Sequence, residues 1–244
     1  DLLFRTGFGQ EYQIDYSGGK EGVSYFVSGN YLDQEGIVVN SDYTKIGLRA
    51  NVKANLSDKL TADIKTNFNR RETNNVNGSG NTSGSLAGPL TWAPTTPARD
   101  ETGQFTVRDP ISSIKANPLE SALNDRISEV STFTTNGSLN YEFFEGLTFN
   151  VGFGLSYSNA QTKNFTLGLA NETATATRSS IESLFVQNTN NLTYKKNFNG
   201  VHDLTVTAVF ENQSREMDGF STDASNLLFP IFRYDNLIYR KIEL

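Results

Sequence analysis

The sequence predicts an all-β chain, an antiparallel up-and-down meander of about eight long strands that forms one segment of a large transmembrane β-barrel. Three observations predict this. Apolar and polar residues alternate with a period of two, the signature of a strand with one oily and one wet face. The alternating arms run about 12 residues, against roughly 5–6 for an ordinary soluble strand and about 9–11 for a tilted strand that crosses a bilayer. Short and long connections alternate, so tight turns collect at one end and long loops at the other, as in outer-membrane barrels.

The stretch Tyr43–Arg71 shows the pattern best. Ile46, Leu48, Ala50, Val52, Ala54 and Leu56 alternate with Lys45, Gly47, Arg49, Asn51, Lys53 and Asn55. After the polar turn Ser57-Asp58-Lys59, the alternation resumes with Leu60, Ala62, Ile64, Thr66 and Phe68 against Asp63, Lys65, Asn67, Asn69 and Arg71. Charges of both signs on the polar side suit a wet lumen wall better than a second packed sheet.

The other elements follow in order. A first strand over about 10–17 puts Tyr12, Ile14 and Tyr16 on one face. Gly18-Gly19-Lys20-Glu21-Gly22 then turns the chain, since glycine supplies the positive φ of tight hairpins. A second strand from Val23 to about Leu32 aligns Val23, Tyr25, Val27, Gly29 and Tyr31, with Phe26 breaking the polar side, and residues 33–42 form a medium loop. Residues 72–128 lack periodicity and hold all but one of the six prolines, so they read as a long extracellular loop with a short helix within 118–126. Strand five covers about 130–141 and strand six runs from Leu147 to Ser158, the cleanest alternation in the chain. Residues 160–178 read as a loop, strand seven as about 181–196, Asn197-Phe198-Asn199-Gly200 as a turn and strand eight as about 202–213. The remainder reads as a loop, and FPIFRYDNLIYR is compatible with the start of a further strand.

Composition narrows the function. The chain has 244 residues and no cysteine, which excludes a disulfide framework, a thiolate metal site and a cysteine nucleophile. With net charge −6 and no basic stripe, nucleic acid is not expected as a partner. No apolar run approaches 18 residues, so no membrane-spanning helix is expected. Opening on Asp1 in strand-like sequence, the chain reads as an internal piece of a longer protein.

Chemistry-bearing residues are sparse. His202, the single histidine, falls at a turn and reads as structural. Asp33, Glu35 and Asp42 could form an oxygen cage for Ca²⁺, but their spacing matches no known loop and solvated charges are expected. The pairs Glu142/Glu145 and Asp100/Glu101 lie in turns or loops rather than facing each other as in a glycosidase. GFGQEY and GSGNTSG lack the Lys-Ser/Thr and helix of a phosphate loop. The Asn-x-Ser/Thr sequons at Asn77, Asn136 and Asn191 read as chance in an Asn/Thr-rich chain. No cofactor or metal is expected, and an enzyme is the least expected class. Tyr12, Tyr16, Tyr25, Tyr31, Tyr141, Tyr157 and Tyr194 fall near strand ends or on apolar faces, where amphipathic rings at headgroup depth would form interface girdles.

Several motifs resemble the SusC/RagA family of TonB-linked outer-membrane transporters. RTGFGQEYQIDYSGG (5–19) carries the family's Ser-Gly-Gly at Ser17-Gly18-Gly19, and the next strand ends in Tyr31-Leu32-Asp33-Gln34-Glu35-Gly36-Ile37. The hairpin YTKIGLRANVKANLSDKLTADIKTNF and the later NNLTYKKNFNGVHDLTVTAVFE (190–211) are similar to two further family hairpins, in the same order. The resemblance covers the early barrel region only, so residues 1–244 would be a partial barrel domain without plug or remaining strands. It implies a 22-stranded barrel closed by a plug, in a Gram-negative outer membrane. It also implies energy from TonB through the plug, uptake of glycans or peptides, and a SusD-like lipoprotein lid. On that reading Trp92, Arg99, Phe105 and Arg108, in the longest loop, are candidates to touch the lipoprotein or the substrate. Two other readings stand beside it: a small closed eight-stranded barrel with a structural or adhesive role, and a soluble surface-glycan-binding β-protein.

Overall fold

The structure is a computed structural model that describes residues 2–75, 92–106, 117–122, 124–168, 173–227, 230–235 and 237. Eight strands form one antiparallel sheet in strict chain order. They are β1 Gly9–Lys20, β2 Val23–Glu35, β3 Asp42–Ser57, β4 Leu60–Asn74, β5 Asp125–Phe144, β6 Leu147–Thr166, β7 Thr175–Phe198 and β8 His202–Ala224. Among the described residues no second sheet covers either face. The fold class read from the sequence, an up-and-down meander of long strands, is the one observed.

The tight turns shrink to two or three residues, because the strands run into segments read as turns. Gly18, Gly19 and Lys20 belong to β1, and only Glu21-Gly22 turns, with Gly22 at φ 82°. β5 continues through Phe143 and Phe144, and Gly146 turns at φ 91°. Asn199 and Gly200 make the turn after β7 with φ 55° and 72°. Bulges at Asn55/Ser57 and Glu142/Phe144 sit just before two of these turns, where the extra residue sharpens the local twist.

At the loop end the strands are much longer than the alternation suggested. β5 begins at Asp125 rather than near 130, and β8 runs through Ala224 across a stretch read as a loop. Most of the loop assigned to 160–178 is strand, since β6 reaches Thr166 and β7 starts at Thr175. The reason is physical. Beyond the apolar zone polar residues dominate both faces of the ribbon and the scattered apolar ones do not alternate, so period two disappears from the sequence while backbone pairing continues. Cross-strand polar contacts hold these ends: the Thr177 hydroxyl donates to Asp223 at 2.7 Å, Asn159 donates to Glu182 at 2.9 Å, and Lys163 and Arg70 both pair with Glu129.

The short helix expected in the long loop is a single turn, α1 Pro118–Ala122, with Leu119 N donating to the Asn117 carboxamide at 2.9 Å. The end of the chain forms a 3-10 turn at Pro230–Phe232 instead of a further strand among the described residues. This tail folds back against the loop ends of β5–β7. Leu227 joins Phe165, Ala174, Ala176 and Ala224 in the one hydrophobic cluster of buried residues described, and Arg233 pairs with the buried Asp125. Most large apolar side chains are exposed instead, including Ile14, Leu48, Ile64, Phe153 and Phe210.

Candidate functional site

Cross-strand register converts the alternation into two continuous faces. One apolar row runs Ile14, Gly29, Leu48, Phe68, Phe133, Tyr157, Leu184 across β1 to β7. The opposite face presents Gln13, Asn30, Gly47, Asn69, Thr132 and Ser158 in one register row.

The apolar face is a band with two sloping edges. At the loop end its last residues are Tyr12 in β1, Tyr31 in β2 and Ile46 in β3. Their register row then passes through Arg70, Ser131, Asn159, Glu182 and Asp218, all polar. In β8 the band ends only at Phe210, about eight residues nearer the tight turns than Asp218, after seven strand-to-strand steps. The other edge slopes alike. The row of Val23 passes through Ala54, Ala62, Leu139, Val151 and Asn190 to Phe210, and in β8 the apolar residues continue about six residues further, to Leu204. Both edges shift by roughly one residue per strand. With about 3.4 Å rise per residue and about 4.8 Å between strands, that slope corresponds to strands tilted by about 35–40° to the band. Transmembrane barrels have this tilt. A horizontal hydrocarbon slab crossed by tilted strands produces such a band.

The seven tyrosines all lie on this face. Tyr12, Tyr31 and Tyr157 lie toward its loop-end edge, and Tyr25, Tyr141 and Tyr194 toward its turn-end edge. Tyr16 sits one row inside, its ring 5.8 Å from that of Tyr25. Phe143 adds an edge-to-face contact to Tyr141 at 5.0 Å. Two polar interruptions lie within the band: the Thr66–Thr135 pair of β4 and β5, with hydroxyls 3.0 Å apart, and Asn188 and Asn190 in β7, with Asn212 beside Asn188. Their amides are partly satisfied in place, since Asn188 donates to the Gly152 carbonyl at 3.0 Å and Asn190 to the Asn188 carboxamide at 2.6 Å.

Several hollows open on the polar face among the described residues. One is lined by Gln13, Ser28, Asn30, Lys45, Arg49, Asn67 and Asn69. A second involves Tyr43, Lys45, Asn69, Arg71 and Thr132, and a third Asn136, Gly152, Gly154, Gln187 and Thr189. Sequence reading marked this face as a wet wall but did not single out these residues; glycine between asparagines at Asn30, Gly47 and Asn69 is visible only once strands are paired.

At the loop end, residues 2–8 lie against the β2–β3 connection through the Phe4–Val38 bridge, and Arg5 binds Asp42 at 2.5 Å with Glu35 at 3.8 Å. Asp33 accepts from Gln10 and Thr44. Arg5, not a cation cage, thus sits between Glu35 and Asp42. Trp92, Ala98, Asn117, Pro118 and Leu119 meet Leu2, Leu3 and Phe4 around an apolar hollow of about 200 Å³, with the Trp92 indole donating to the Thr96 carbonyl at 2.9 Å. Arg99 and Phe105 face each other across a small bridge, the guanidinium 4.0 Å above the ring. Asp100 ties this hairpin: its carboxylate accepts from the Thr102 amide and hydroxyl and from the Gln104 amide. The Thr102 hydroxyl bond is the main reason its pKa lies below the usual carboxylate value; burial opposes it, and the backbone amides of Gln104, Thr102 and Gly103 add to the lowering. So Trp92, Arg99 and Phe105 come together on the loop side, but Arg99 and Phe105 are engaged with each other. Arg108 and Asn77 lie outside the described residues. His202 pairs with Phe198 at the β7–β8 turn, and Glu142 pairs with Thr148 beside a tight turn.

No established family profile matches the chain. Among curated proteins it is 34% identical over 127 residues to TonB-dependent receptor P26 of Formosa agariphila, covering 51% of this chain and 12% of the relative. It is 27% identical to TonB-dependent receptor P3 of the same organism over 97% of this chain and 24% of the relative. It is 30% identical to TonB-dependent receptor SusC of Bacteroides thetaiotaomicron over 43% of this chain and 10% of the relative. Solved structures of the RagAB peptide importer overlay on 99% of the chain with TM-scores of 0.80 in the open-open state and 0.77 in the closed-closed state, at 19% identity. The chain spans about a quarter of the length of the relatives it matches, or less.

Proposed function

We propose, for a chain whose sequence relatives and fold are those of SusC/RagA-type TonB-dependent receptors, that it is a wall segment of an outer-membrane importer of nutrients such as oligosaccharides or peptides. In this reading the apolar band meets lipid, the polar face lines the lumen, and the long-loop end faces outward. TonB acts through a plug outside this segment. A SusD-like lipoprotein docks at the loop end, where Trp92 and the Arg99–Phe105 hairpin stand as candidate contacts. The tyrosines at the two edges form the interface girdles. No catalytic residue is assigned.

The slope of the band carries the reading. A soluble glycan-binding sheet would need its apolar face covered, and the described residues supply no cover. A closed eight-stranded barrel would have to pair the 12 residues of β1 with the 23 residues of β8, stranding nearly half of β8's backbone groups.

The test uses the full reading frame that contains this segment. Short epitopes inserted at Gly103 and Gly200, both beside open space, report the two ends separately. Intact cells should bind antibody at Gly103 only, and Gly200 should label after the outer membrane is opened. Labelling of both ends in intact cells sinks the topology. Loss of TonB should leave surface binding of a labelled oligosaccharide intact and abolish its accumulation; undiminished accumulation sinks the energised-importer reading.

A further inference from the structure

We infer that the lumen wall around Gly47 is a cradle for an oxyanion, the carboxylate or sulfate ester of a carried acidic oligosaccharide. This rests on the importer reading above and names a substrate class for it.

The register row Asn30–Gly47–Asn69 puts a residue without a side chain between two carboxamides. A Cβ at Gly47 would collide with the Asn30 oxygen and press on that of Asn69. Glycine therefore lets the Asn30 carboxamide lie across β3 and reach into the hollow, a close approach that a side chain at position 47 would block. Lys45 lies two residues toward the loops and Arg49 two residues toward the turns, and both line the same hollow with Asn30, Asn69 and Gln13. The Arg49 Nε donates to the Asn67 carboxamide at 2.9 Å, which orients the guanidinium and leaves its terminal N–H groups for a ligand. Among the described residues Lys45 has no ion pair. A forked guanidinium and an ammonium lining one hollow are the charged donors that recognise a carboxylate or sulfate, while the Asn30 and Asn69 carboxamide oxygens nearest Gly47 are placed to accept from the sugar's hydroxyls.

The surroundings favour an anion and a path for it. On the same face of β3 and β4, Lys53, Lys65 and Arg71 continue the positive charge from Arg71 in Lys45's register row down to Lys53, through most of the band's height. The acids facing it are few. Asp63 pairs with Lys65 at 3.2 Å. Glu11 and Asp15 share register rows with Lys45 and Arg49 but lie two strands away, roughly 10 Å, and Asp15 accepts from Gln13 at 2.7 Å. Further along the same face, β5–β7 present Thr134, Asn136, Ser138, Asn150, Gln187 and Thr189, hydroxyls and amides without charge, and the Glu211 carboxylate of β8 is engaged by Gln187 and Thr189, at least four strands from Lys45 and Arg49. Several moderate sites spaced along a wall let a charged molecule enter without being trapped. The amide-rich, aromatic-poor lining of the hollow fits ring hydroxyls and gives no recess for peptide side chains.

The experiment compares wild-type full-length receptor with K45Q/R49Q and G47V by calorimetry in detergent. The probes are a uronic-acid hexasaccharide, a sulfated hexasaccharide, a neutral hexaglucan and a hexapeptide of aspartate and glutamate, at two salt concentrations. Wild type should bind at least one acidic glycan more tightly than the glucan. K45Q/R49Q should lose about tenfold or more of that affinity and most of its salt dependence, with the glucan unchanged. G47V should weaken the acidic glycan while all charges stay in place, and K45R/R49Q should keep part of the affinity that K45Q/R49Q loses. The uronate and sulfated probes distinguish which oxyanion is carried. Equal binding of neutral and acidic glycans by wild type overturns the cradle and leaves the importer reading standing. So does equal binding of the acidic peptide, or a loss in K45Q/R49Q that includes the glucan. Binding of no saccharide at all overturns the cradle, and the accumulation assay above then decides the importer reading on its own.

Discussion

Replacing Phe153 by arginine tests the lipid-facing assignment directly. Phe153 lies on the apolar face of β6, between Tyr157 toward the loops and Leu147 toward the turns, close to the middle of the band. Its ring lies over Gly137 of β5, where an added Cβ would strike it, and it is 50% exposed on that side of the sheet. The guanidinium would be held at hydrocarbon depth, at about 2–4 kcal/mol for a mid-bilayer site, and loss of the ring over Gly137 adds a few tenths to about 1 kcal/mol. The sum, about 2–5 kcal/mol, is large beside a typical folding stability. Ser156→Arg supplies the control. Ser156 neighbours Phe153 in β6 but belongs to the polar face, in the row of Thr134 and Phe185, and its change should cost under about 1 kcal/mol. Full-length receptor refolded into phosphatidylcholine vesicles across a urea series reads the difference through the folded fraction on unheated gels. A cost of about 3 kcal/mol should move the midpoint down by about 1 M or more, given slopes of roughly 1–3 kcal/mol per molar. Equal midpoints for the two arginine variants would refute the facing of the sheet, and with it the band.

Three further outcomes are expected. Gly146→Ala should destabilise the β5–β6 hairpin by about 1–3 kcal/mol, since Gly146 turns at φ 91° and an added Cβ meets the Lys195 carbonyl; an unchanged urea midpoint contradicts this. The Asp100 carboxylate is held below its usual pKa by the Thr102 hydroxyl, so its contribution to the Arg99–Phe105 hairpin is present above the unfolded-state pKa and fades as pH falls through the lower folded-state value. Exchange of the Thr102 and Gln104 amides should therefore be slow at pH 6 and accelerate in strongly acidic solution, and in Asp100→Ala it should be fast at both; pH-independent protection would show that the carboxylate does not hold the turn. Trp92 is the only tryptophan of the segment, so in a full-length receptor whose other tryptophans are replaced its emission should shift to the blue when the partner lipoprotein is added. A spectrum that stays put removes Trp92 from the proposed contact.

The sequence disclosed the fold wherever water and lipid treat the two sides of a ribbon differently. Tyr43–Arg71 and Leu147–Ser158 were readable because each residue is sorted onto one face or the other. The strand ends were not. Between Ser214 and Ala224, or Asn159 and Thr166, polar residues dominate both faces and the few apolar ones, such as Met217, Phe220 and Phe165, do not alternate, so no periodicity marks a ladder held by backbone bonds and pairs such as Thr177–Asp223. The candidate loop residues were legible as an aromatic and cationic group in a long loop, but not their division of labour. Arg99 lies over the Phe105 ring, while Trp92 lines a hollow completed by Leu2, Leu3 and Phe4 from the far end of the sequence.

The slope of the band belongs to a different class of information, because no single strand contains it. Tyr12 and Phe210 each look like an ordinary aromatic near the end of an apolar run. Their meaning appears only when the register carries Tyr12 across the sheet to Asp218 and not to Phe210. Hydrogen bonding fixes that register for reasons internal to the sheet. The environment fixes the apolar residues, which must lie in a flat slab whatever the strands do. A constant offset of about one residue per strand between these two independent constraints measures the angle at which the strands meet the slab. A water-soluble sheet has no flat slab to satisfy, and its apolar edges follow whatever element packs on it. The steady drift at both edges therefore argues for a membrane more strongly than strand length or hydropathy, and the Gly47 cradle inherits that argument: if one face is set against lipid, the row Asn30–Gly47–Asn69 can only face the channel.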